Sequence, residues 1–399
     1  MNYGSLKDYY TAIGYKRLSA TEVDPNTSHG HEFQGVNAFR EMFGTEKREL
    51  DATIHYLSDS QDKEDLSQTG TLSWYDSREN QPKRSAEYRL YYKQDLDLIQ
   101  DNAKPGDLII GAMRANGSVD ILIAESGSTW EQQLTWLFAI EEQAARGYET
   151  KVITEQGTLD FGSQTIIERL GIELQVSDDT LLEGLLETFC ATFPTTRVFS
   201  DYARGTISTD SKEDPDATLI TWLEQEEMLF RLLEKHIINE RLNQGFENDV
   251  DGFINYSLSV QNRRKSRAGH SLENHLEQIF IEHDIRYSRG AVTENRSRPD
   301  FLFPGIDAYH DSSFPEEKLT MLGAKTTCKD RWRQVLPEAK RIQHKHLCTV
   351  EPGISEAQTR EMQHHDLQLV VPQNLQKTFT ATQQDWLMNL DSFITRLQK

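Results

Sequence analysis

Hydrophobic and polar positions along the first part of the chain follow the spacing of short β-strands. Runs of β-branched and aromatic residues recur between turn residues, and they predict strands at 71–75, 88–92 and 107–110. Residues 108–123 predict a hairpin that turns at Asn116-Gly117, since this dipeptide tolerates the positive φ that tight turns need. A helix is predicted at 129–146, where apolar residues recur on one helical face. Strands broken by turns, with few helices, indicate a small barrel.

The pattern changes near residue 176, where a short polar stretch separates the strand-rich part from a part richer in helices. We therefore predict a first domain at 1–175, a linker at 176–182 and a second domain at 183–399. Within the second domain, the acidic stretch at 206–218 is poor in apolar residues and predicts an exposed loop.

Helices and strands alternate in the second domain. Apolar residues at helical spacing predict helices at 219–242, 271–283, 330–344 with a break at Pro337, and 383–397. Short apolar runs predict strands at 301–303, 319–326, 346–350 and 367–371. The chain as a whole is therefore expected to be a mixed α/β protein.

Composition is that of a globular protein with a sizeable core. Among the 399 residues, 37% are hydrophobic and 27% are charged, which excludes collagen-like and fully disordered classes. No apolar run reaches the length of about 18 residues that a membrane helix needs, and no apolar leader is visible near Met1. The three cysteines are few and far apart, so a disulfide framework is not expected. We expect a cytoplasmic protein with no membrane partner.

The charge is distributed unevenly. The formal net charge is −21, yet residues 261–350 hold 16 Lys and Arg against 12 Asp and Glu. A basic region on an acidic protein is typical of a local site for a polyanion such as nucleic acid, because phosphate binding depends on local charge. An uneven but merely solvated surface would give the same counts, and composition alone leaves that interpretation open.

The chemistry of the second domain centres on Pro299-Asp300 and, 25 positions after the aspartate, on Lys325. A carboxylate at the end of a strand can hold Mg²⁺, to which the backbone oxygen of Ala324 can add a ligand. A lysine on the neighbouring strand can orient or deprotonate a water that attacks phosphorus, and it can stabilise the phosphorane. Such a pair alone also occurs by chance in many chains of this length.

Longer motifs make the assignment more specific. The run at 262–269 followed by Ser271-Leu272-Glu273, then the segments at 299–304, 308–311 and 325–334, resembles the EcoRII-type restriction endonucleases in the same order. This resemblance covers about 258–350 and continues weakly to 369–372. It implies a type IIE enzyme whose second domain has the PD-(D/E)XK fold of restriction endonucleases, with Mg²⁺ as its cofactor.

The resemblance also assigns roles to residues around Asp300. The position two before Lys325 is Gly323, so the usual second carboxylate is missing from that strand. The family pattern implies that Glu273, on a preceding helix, takes its place as a catalytic acid and metal ligand. It further implies that Tyr309 lies at the active site, where its hydroxyl could bond the scissile phosphate. A solvated helix residue and a packed loop tyrosine are the structural alternatives for these two.

The segment Lys329-Asp330-Arg331 suits readout of base edges in the major groove. Arginine can bind guanine O6 and N7, and aspartate can accept from cytosine N4, although a surface ion-pair cluster would look the same. The resemblance implies that this segment reads a CCNGG-type site, with CCWGG favoured, in double-stranded DNA. Candidate phosphate contacts carry positive charge without a base code; these are Arg263, Arg264, Lys265, Arg267 and Arg333.

For the first domain the resemblance implies a B3-like β-pseudobarrel that binds a second, effector copy of the DNA site. The candidate effector contacts are Lys16, Arg17, Ser77, Arg78, Lys83, Arg84 and Arg89. In the family this domain covers the nuclease cleft, so autoinhibition is expected, together with a homodimer and a companion DNA methyltransferase. Two-fold symmetry in the protein would match a palindromic site.

A second function of a different class remains open. A B3-like module joined to a degenerate nuclease fold would be a noncatalytic, sequence-specific DNA-binding regulator. Retention of Asp300, Lys325 and Glu273 together favours the enzyme, because loss of any one of them would be expected in the regulator.

Overall fold

The computed structural model describes residues 4–23, 32–33, 36–59, 66–81, 83–92, 102–141, 147–154, 158–174 and 179–399. The chain divides into two compact units. The first comprises residues 1–172 together with 353–355, and the second comprises 173–352 and 356–399. Residues 175–178 lie outside the described ranges, and residues 179–182 of the predicted linker are helical.

The first unit is built on an eight-stranded sheet. Its strands are β1 Tyr10–Arg17, β2 Glu32–Phe33, β3 Arg48–Leu57, β4 Leu66–Asp76, β5 Tyr88–Tyr92, β6 Leu108–Arg114, β7 Val119–Ala124 and β8 Glu149–Val152. They are arranged in the order β2-β5-β4-β3-β7-β6-β1-β8, and all neighbours are antiparallel except β3 and β7. The described helices are α1 Ala20–Val23, α2 Arg40–Phe43, α3 Thr129–Leu137 and α4 Phe161–Arg169, with 3-10 helices at Leu6–Asp8 and Val36–Phe39.

The predicted hairpin is confirmed as β6 and β7. Gly117 has φ 88°, and the Arg114 N–H donates to the Ser118 carbonyl at 2.8 Å across the turn. The predicted helix at 129–146 is too long: α3 ends at Leu137, after which Ala139 has φ 46°, and residues 142–146 are outside the described ranges.

The core of the first unit closes around Phe39, which is fully buried. The ring of Phe39 packs 4.3 Å from the ring of Tyr148, and it lies so close to Gly14 that a Cβ there would meet it at 1.9 Å. Only glycine fits this strand position. The unit is strand-rich as predicted, while the closed barrel and the B3-like assignment stay predictions.

The second unit begins with helices. They are α5 Asp179–Phe189, α6 Thr196–Gly205, α7 Pro215–Gln244 and α8 Val250–Glu282. Ion pairs join the two helices, and a later residue of α8 pairs with an earlier residue of α7: Arg264 with Glu234, and Arg267 with Glu226. Helices α7 and α8 therefore form a long antiparallel hairpin. The predicted helix at 219–242 starts earlier, because Asp214 caps it inside the stretch predicted as a loop. The predicted helix at 271–283 is only the end of α8.

The second unit continues as a five-stranded sheet in the order β13-β12-β11-β10-β9. Its strands are β9 Ser288–Arg289, β10 Phe301–Phe303, β11 Thr320–Lys325, β12 Lys345–Thr349 and β13 Leu367–Val370. Around them lie α9 Ile306–His310, α10 Glu356–His364, α11 Gln373–Gln376, α12 Ala381–Gln384 and α13 Leu390–Leu397, with 3-10 helices at Glu294–Arg296, Glu316–Lys318 and Arg331–Val335. Strands β9 to β11 are antiparallel, and β11 to β13 are parallel.

Two helix predictions in this unit are wrong. Residues 330–344 form only the 3-10 helix Arg331–Val335, followed by turns, because Pro337 cannot donate the backbone hydrogen bond that a longer helix needs. Residues 383–397 are interrupted by a β-bridge between Met388 and Val370, so the helix starts at Leu390.

The mixed α/β class is confirmed, and the predicted strands at 301–303, 319–326, 346–350 and 367–371 all lie in the second sheet. None of the helices in the described residues is long and apolar enough to cross a membrane.

Candidate active site

Asp300 and Lys325 meet at one end of the second sheet. Asp300 immediately precedes β10 and Lys325 ends β11, and the two strands pair with Phe301 opposite Leu322. The Lys325 ammonium donates to Asp300 Oδ2 at 2.7 Å, and the backbone N–H of Ala324 donates to the same oxygen at 2.7 Å. Both charged side chains are largely buried, with 12% and 16% of their surface exposed. The pair predicted from the sequence is therefore assembled and held in one geometry.

A third ionisable group, Glu338, is electrostatically coupled to this pair, and the sequence analysis did not single it out. Burial and the negative charge of Asp300 raise the pKa of Glu338 to about 7, although Lys325 and Lys345 oppose the shift. Its Oε2 is buried and has no hydrogen-bond partner among the described residues. A second carboxylate is thus coupled to the charge of Asp300 and has one buried oxygen without a hydrogen bond.

Packing explains why this acid is not on β11 itself. A Cβ at Gly323 would lie 2.9 Å from a methyl group of Val335, on the 3-10 helix that covers the strand. No side chain fits there without moving the covering segment, so a carboxylate two residues before Lys325 is sterically excluded. The covering segment supplies Glu338 three residues after Val335 instead.

Glu273 lies on α8 and is engaged by Arg289 of β9. Arg289 donates to Glu273 Oε2 at 2.8 Å and to Glu277 Oε2 at 2.7 Å. Arg289 pairs with Phe301, the neighbour of Asp300, so this ion-pair cluster borders the Asp300 end of β10. Arg289 therefore connects Glu273 to the strand next to Asp300. Among the described contacts, no direct bond links Glu273 to Asp300 or Lys325.

Tyr309 is buried, with 2% of its surface exposed, and its hydroxyl is already bonded. It donates to Glu294 Oε1 at 2.5 Å and accepts from the backbone N–H of Arg341 at 3.3 Å. The Arg341 guanidinium in turn holds the carbonyls of Tyr309, Asp311 and Phe314. Burial, and the bond to Glu294, raise the pKa of Tyr309 to about 12. These contacts fix the segment that carries Glu338 and leave the hydroxyl no free bond for a phosphate.

The candidate reader Lys329-Asp330-Arg331 follows β11 directly. The buried Glu351 accepts from the Cys328 N–H at 2.5 Å and so anchors the turn, in which Lys329 has φ 26°. Arg331 is exposed, whereas Asp330 accepts from Arg333 at 2.8 Å. Arg333 also binds Glu361 through both carboxylate oxygens, so its predicted phosphate contact would require exchange of two ion pairs.

The basic residues of α8 differ in how far their side chains are exposed to solvent. Lys265 is exposed, Arg264 pairs with Glu234 at 2.6 Å, and Arg263 stacks over the Phe193 ring at 4.1 Å. Arg267 is buried, stacks on Phe230 and forms ion pairs with Glu226 and Glu227. Its side chain joins α8 to α7, which is a structural role in place of the predicted phosphate contact.

The effector candidates of the first unit fall at two opposite ends of its sheet. Arg17 lies opposite Leu108, at the end where β3 finishes, whereas Arg89 lies opposite Tyr75, at the end where β3 begins. Strand β3 has ten residues, so the two ends are about 30 Å apart. Ser77, Arg78, Lys83 and Arg84 follow β4 at the second end, and Lys16 and Arg17 share the first.

Several effector candidates already have partners. Lys16 pairs with Glu22 at 2.5 Å, Arg17 with Glu131, Arg78 with Glu87, and Arg89 with Glu32 at 3.0 Å. Ser77 donates to the Glu87 carbonyl. Lys83 and Arg84 are exposed, which makes them the most accessible cations of this set.

In the described part of the chain, no three His, Cys, Asp or Glu side chains form a ready metal cluster. A cation between Asp300 and Glu338 would thus have two carboxylates and otherwise backbone oxygen and water. That ligand set suits Mg²⁺, which is commonly bound through one or two carboxylates and keeps several waters.

Comparison with known proteins supports the motif-based resemblance. Residues 230–394 match the family described as EcoRII C terminal. The chain is 44% identical over 228 residues to the Escherichia coli protein named Type II restriction enzyme EcoRII. That alignment spans 57% of this chain and 56% of the relative, so little more than half of the relative's length is matched.

Solved structures give weaker likenesses. Metal-depleted Ecl18kI in complex with uncleaved, modified DNA aligns with a TM-score of 0.46 at 18% identity, over 56% of this chain and 84% of that one. A PspGI restriction endonuclease–substrate DNA complex aligns with a TM-score of 0.41 at 14% identity, over 56% and 96%. The sequence matches carry the assignment: residues 230–394 match the EcoRII C-terminal family, and the resemblance to EcoRII-type restriction endonucleases is confirmed over this part of the chain.

Proposed function

We propose that the protein is a type II restriction endonuclease that cleaves double-stranded DNA by Mg²⁺-dependent phosphodiester hydrolysis. The observation that carries the proposal is the buried Asp300–Lys325 pair at one end of the second sheet, to which the charge of Glu338 is coupled. The match of residues 230–394 to the EcoRII C-terminal family supports the same assignment for the region that holds all three, and the chain is 44% identical to EcoRII over 228 residues.

The charge balance of the site fits a divalent cation. The charges of two carboxylates are coupled to one lysine, and the buried Glu338 Oε2 has no hydrogen-bond partner among the described residues. Asp300 and Glu338 would hold the cation, the carbonyl of Ala324 is a further candidate ligand because its N–H already bonds Asp300, and Glu273 belongs to the bordering ion-pair cluster. A bound Mg²⁺ supplies positive charge that polarises the attacked phosphodiester.

The side chains of the site then have separate tasks. Asp300 fixes the Lys325 ammonium, and Lys325 donates to the attacking water and to the oxygens of the phosphorane. Glu338 is held by its own segment, which Tyr309, Glu294 and Arg341 clamp in place. In this proposal Tyr309 positions a catalytic segment instead of touching the scissile phosphate.

We further propose a CCNGG-type target that is read by Lys329, Asp330 and Arg331. Arg331 is exposed directly after the catalytic strand, so base readout and cleavage would be coupled through a short anchored turn. Arg263 and Arg264 on α8 supply phosphate contacts. A homodimer, with one protomer on each half of a palindrome, and a companion DNA methyltransferase that protects the host site complete the proposal.

The first unit is proposed to bind a second copy of the site and to regulate cleavage. Support comes from the chain's partition: the candidate catalytic and base-reading residues all belong to the second unit. A unit with its own core and no such residues is suited to binding or regulation.

The test is to incubate the full chain and Mg²⁺ with plasmids that carry defined CCNGG variants, and to sequence the ends produced. We expect cleavage within or beside the site, and a roughly 10²–10⁴-fold slower rate for Lys325→Ala. Lys318→Ala, on the exposed 3-10 helix before β11, is the matched control. Specific binding without any cleavage would instead support the noncatalytic DNA-binding regulator.

A further inference from the structure

The guanidinium of Arg289 holds two carboxylates of α8 at once. One terminal nitrogen donates to Glu273 Oε2 at 2.8 Å, and the other donates to Glu277 Oε2 at 2.7 Å and to Asn274 Oδ1 at 2.9 Å. The two acids are four residues apart, so they lie on the same face of the helix. Only 18% of the Arg289 side chain is exposed. A guanidinium so far removed from water needs a carboxylate partner, because an unpaired buried charge is costly.

The backbone of Arg289 is tied to the candidate active site. Arg289 lies opposite Phe301 where β9 pairs with β10, and the N–H of the following Gly290 donates to the Asp300 carbonyl at 3.1 Å. Arg289 therefore connects Glu273 to the end of β10 at which Asp300 would bind a cation.

The two acids that bind Arg289 are held unequally. Glu277 also accepts from Arg197 of α6 at 2.7 Å and from the Tyr287 hydroxyl at 3.0 Å, so three donors fix its carboxylate. Glu273 has a single donor among the described residues, which is Arg289, and this donor binds one of its two oxygens. Glu273 is therefore the acid that can leave. Arg289 would then keep its ion pair with Glu277.

We propose that Arg289 is a positioning residue that competes with the divalent cation for Glu273. In the cation-free protein the guanidinium holds Glu273. With a cation bound, Glu273 joins Asp300 and Glu338 as a ligand, and Glu277 keeps the guanidinium paired. The inference rests on the cation site of the proposed function and adds the exchange of Glu273 between two positive partners. A second acid is what makes this exchange possible, because it spares Arg289 an unpaired charge.

The experiment is a titration of the full chain with Mn²⁺ in the absence of DNA, in which electron paramagnetic resonance measures the free ion. Mn²⁺ is the probe because it takes the same carboxylate and water ligands as Mg²⁺. Arg289→Met should lower the Mn²⁺ dissociation constant roughly 3–10-fold, because Glu273 then has no competing partner. Glu277→Gln should raise the constant by a similar factor, because Arg289 then keeps Glu273 as its carboxylate partner.

Two further variants separate competition from a general effect of charge. Arg197→Met is the matched control, because it removes the same charge and another donor to Glu277 but no contact of Glu273. It should bind Mn²⁺ like the parent. Arg289→Lys should give a dissociation constant between those of the parent and Arg289→Met, since an ammonium is a point charge without the planar fork that holds two carboxylates.

Unchanged or weaker Mn²⁺ binding by Arg289→Met would overturn the inference, because docking of β9 on α8 would then be the whole role of this side chain. So would an undiminished gain from Arg289→Met in a Glu273→Gln background, since the effect would not pass through Glu273. Parental Mn²⁺ binding that does not depend on Asp300, tested with Asp300→Asn, would overturn the cation site and the inference together. A parent that binds Mn²⁺ through Asp300 and cleaves no DNA would contradict only the proposed function.

Discussion

At the scale of single residues, the charges around Asp300 decide what this end of the sheet can bind. Asp300 and Glu338 repel each other, Lys325 balances one of them, and the excess negative charge is partly buried. A divalent cation would offset this excess negative charge, because a nearby opposite charge favours the ionised carboxylates. Glu338 escaped the sequence analysis because it lies in a turn-rich segment after Pro337, where no periodicity marks it. A polar residue three positions after the buried Val335 was the only local signal.

Glu338→Gln separates function from stability. We expect single-turnover cleavage to fall roughly 10²–10⁴-fold and the Mg²⁺ concentration for half-maximal rate to rise, because a carboxylate ligand is lost. At pH 8 the free energy of unfolding should rise, since the native pKa of Glu338 is raised to about 7 and its ionised form is disfavoured in the fold. Glu317→Gln, exposed before β11, is the control. Parental cleavage by Glu338→Gln would remove it from the site.

His346 makes the second unit sensitive to acid. It lies in β12 beside Phe393 and His344 with 1% of its surface exposed. Burial, with the nearby charges of His344 and Arg396, lowers its pKa from 6.5 to about 3. Between these two values the unfolded chain binds the proton and the folded chain does not, so stability rises with pH across that window. Protonation of His346 is therefore disfavoured in the folded chain by its burial in β12.

The measurement is chemical denaturation between pH 4 and pH 8. The parent should lose free energy of unfolding as pH falls from 6.5, by an amount on the order of 3 kcal/mol at most near pH 4. His346→Phe keeps an aromatic ring and should flatten this slope. His364→Phe, at an exposed position on α10, should retain the parental slope. Equal slopes for the parent and His346→Phe would show that other groups dominate the acid response.

At the scale of elements, the pattern of hydrophobic positions predicted helices and strands correctly where a single helical or strand periodicity was uninterrupted. The hairpin of β6 and β7, the core strands of the second sheet and most of α7 follow that rule. The first half of α8 was missed because its apolar residues lie exposed among polar ones, and sequence patterns report burial against a core. The helix prediction at 330–344 was wrong for another reason: the apolar residues of this segment pack as a 3-10 helix over Gly323.

The sequence predicted those site residues that lie at the ends of strands. Asp300 and Lys325 border paired strands, so their meeting could be inferred from the motif. The sequence could not show that Arg267 differs in role from the neighbouring basic residues. A buried ion pair with Glu226 and an exposed phosphate contact have the same sequence signature. Long-range partners of charged residues are fixed by tertiary packing.

The reader segment and the basic helix should behave differently towards DNA. Arg331→Ala should cost about 1–3 kcal/mol of discrimination at a guanine, because a bidentate base contact is lost. Arg263→Ala should weaken binding to all duplexes alike and reduce the salt slope by about 1. Binding of target and random duplexes across a salt series measures both effects. Equal losses on the two duplexes for Arg331→Ala would remove it from the reader.

At the scale of the whole molecule, the chain forms two compact units, and the candidate catalytic residues all lie in the second. The first buries its own aromatic core around Phe39 and Trp74, and the second surrounds a five-stranded sheet with helices. Since Asp300, Lys325 and Glu338 all lie in the second, an effect of the first unit on cleavage rate would be regulatory.

The last prediction concerns this regulation. If the first unit restrains the nuclease until it binds DNA, an oligonucleotide that carries the target site should stimulate cleavage of a single-site plasmid in trans. Stimulation should depend on the exposed Lys83 and Arg84, which lie together at one end of the first sheet. We expect K83A/R84A to need a several-fold higher oligonucleotide concentration for the same rate, because two phosphate contacts are lost.

Single-turnover rates on one-site plasmids, with target and scrambled oligonucleotides across a concentration series, measure this effect. Lys7→Ala is the control, since Lys7 is an exposed cation of the same unit, on its first 3-10 helix and apart from the β4–β5 connection. Target DNA that fails to stimulate the parent would contradict regulation by the first unit. Equal stimulation of K83A/R84A and the parent would instead indicate that the oligonucleotide binds at the other end of the sheet. There, Arg17 would have to break its ion pair with Glu131 before it could bind DNA. Either result leaves the assignment of Asp300 and Lys325 intact, because neither residue belongs to the unit under test.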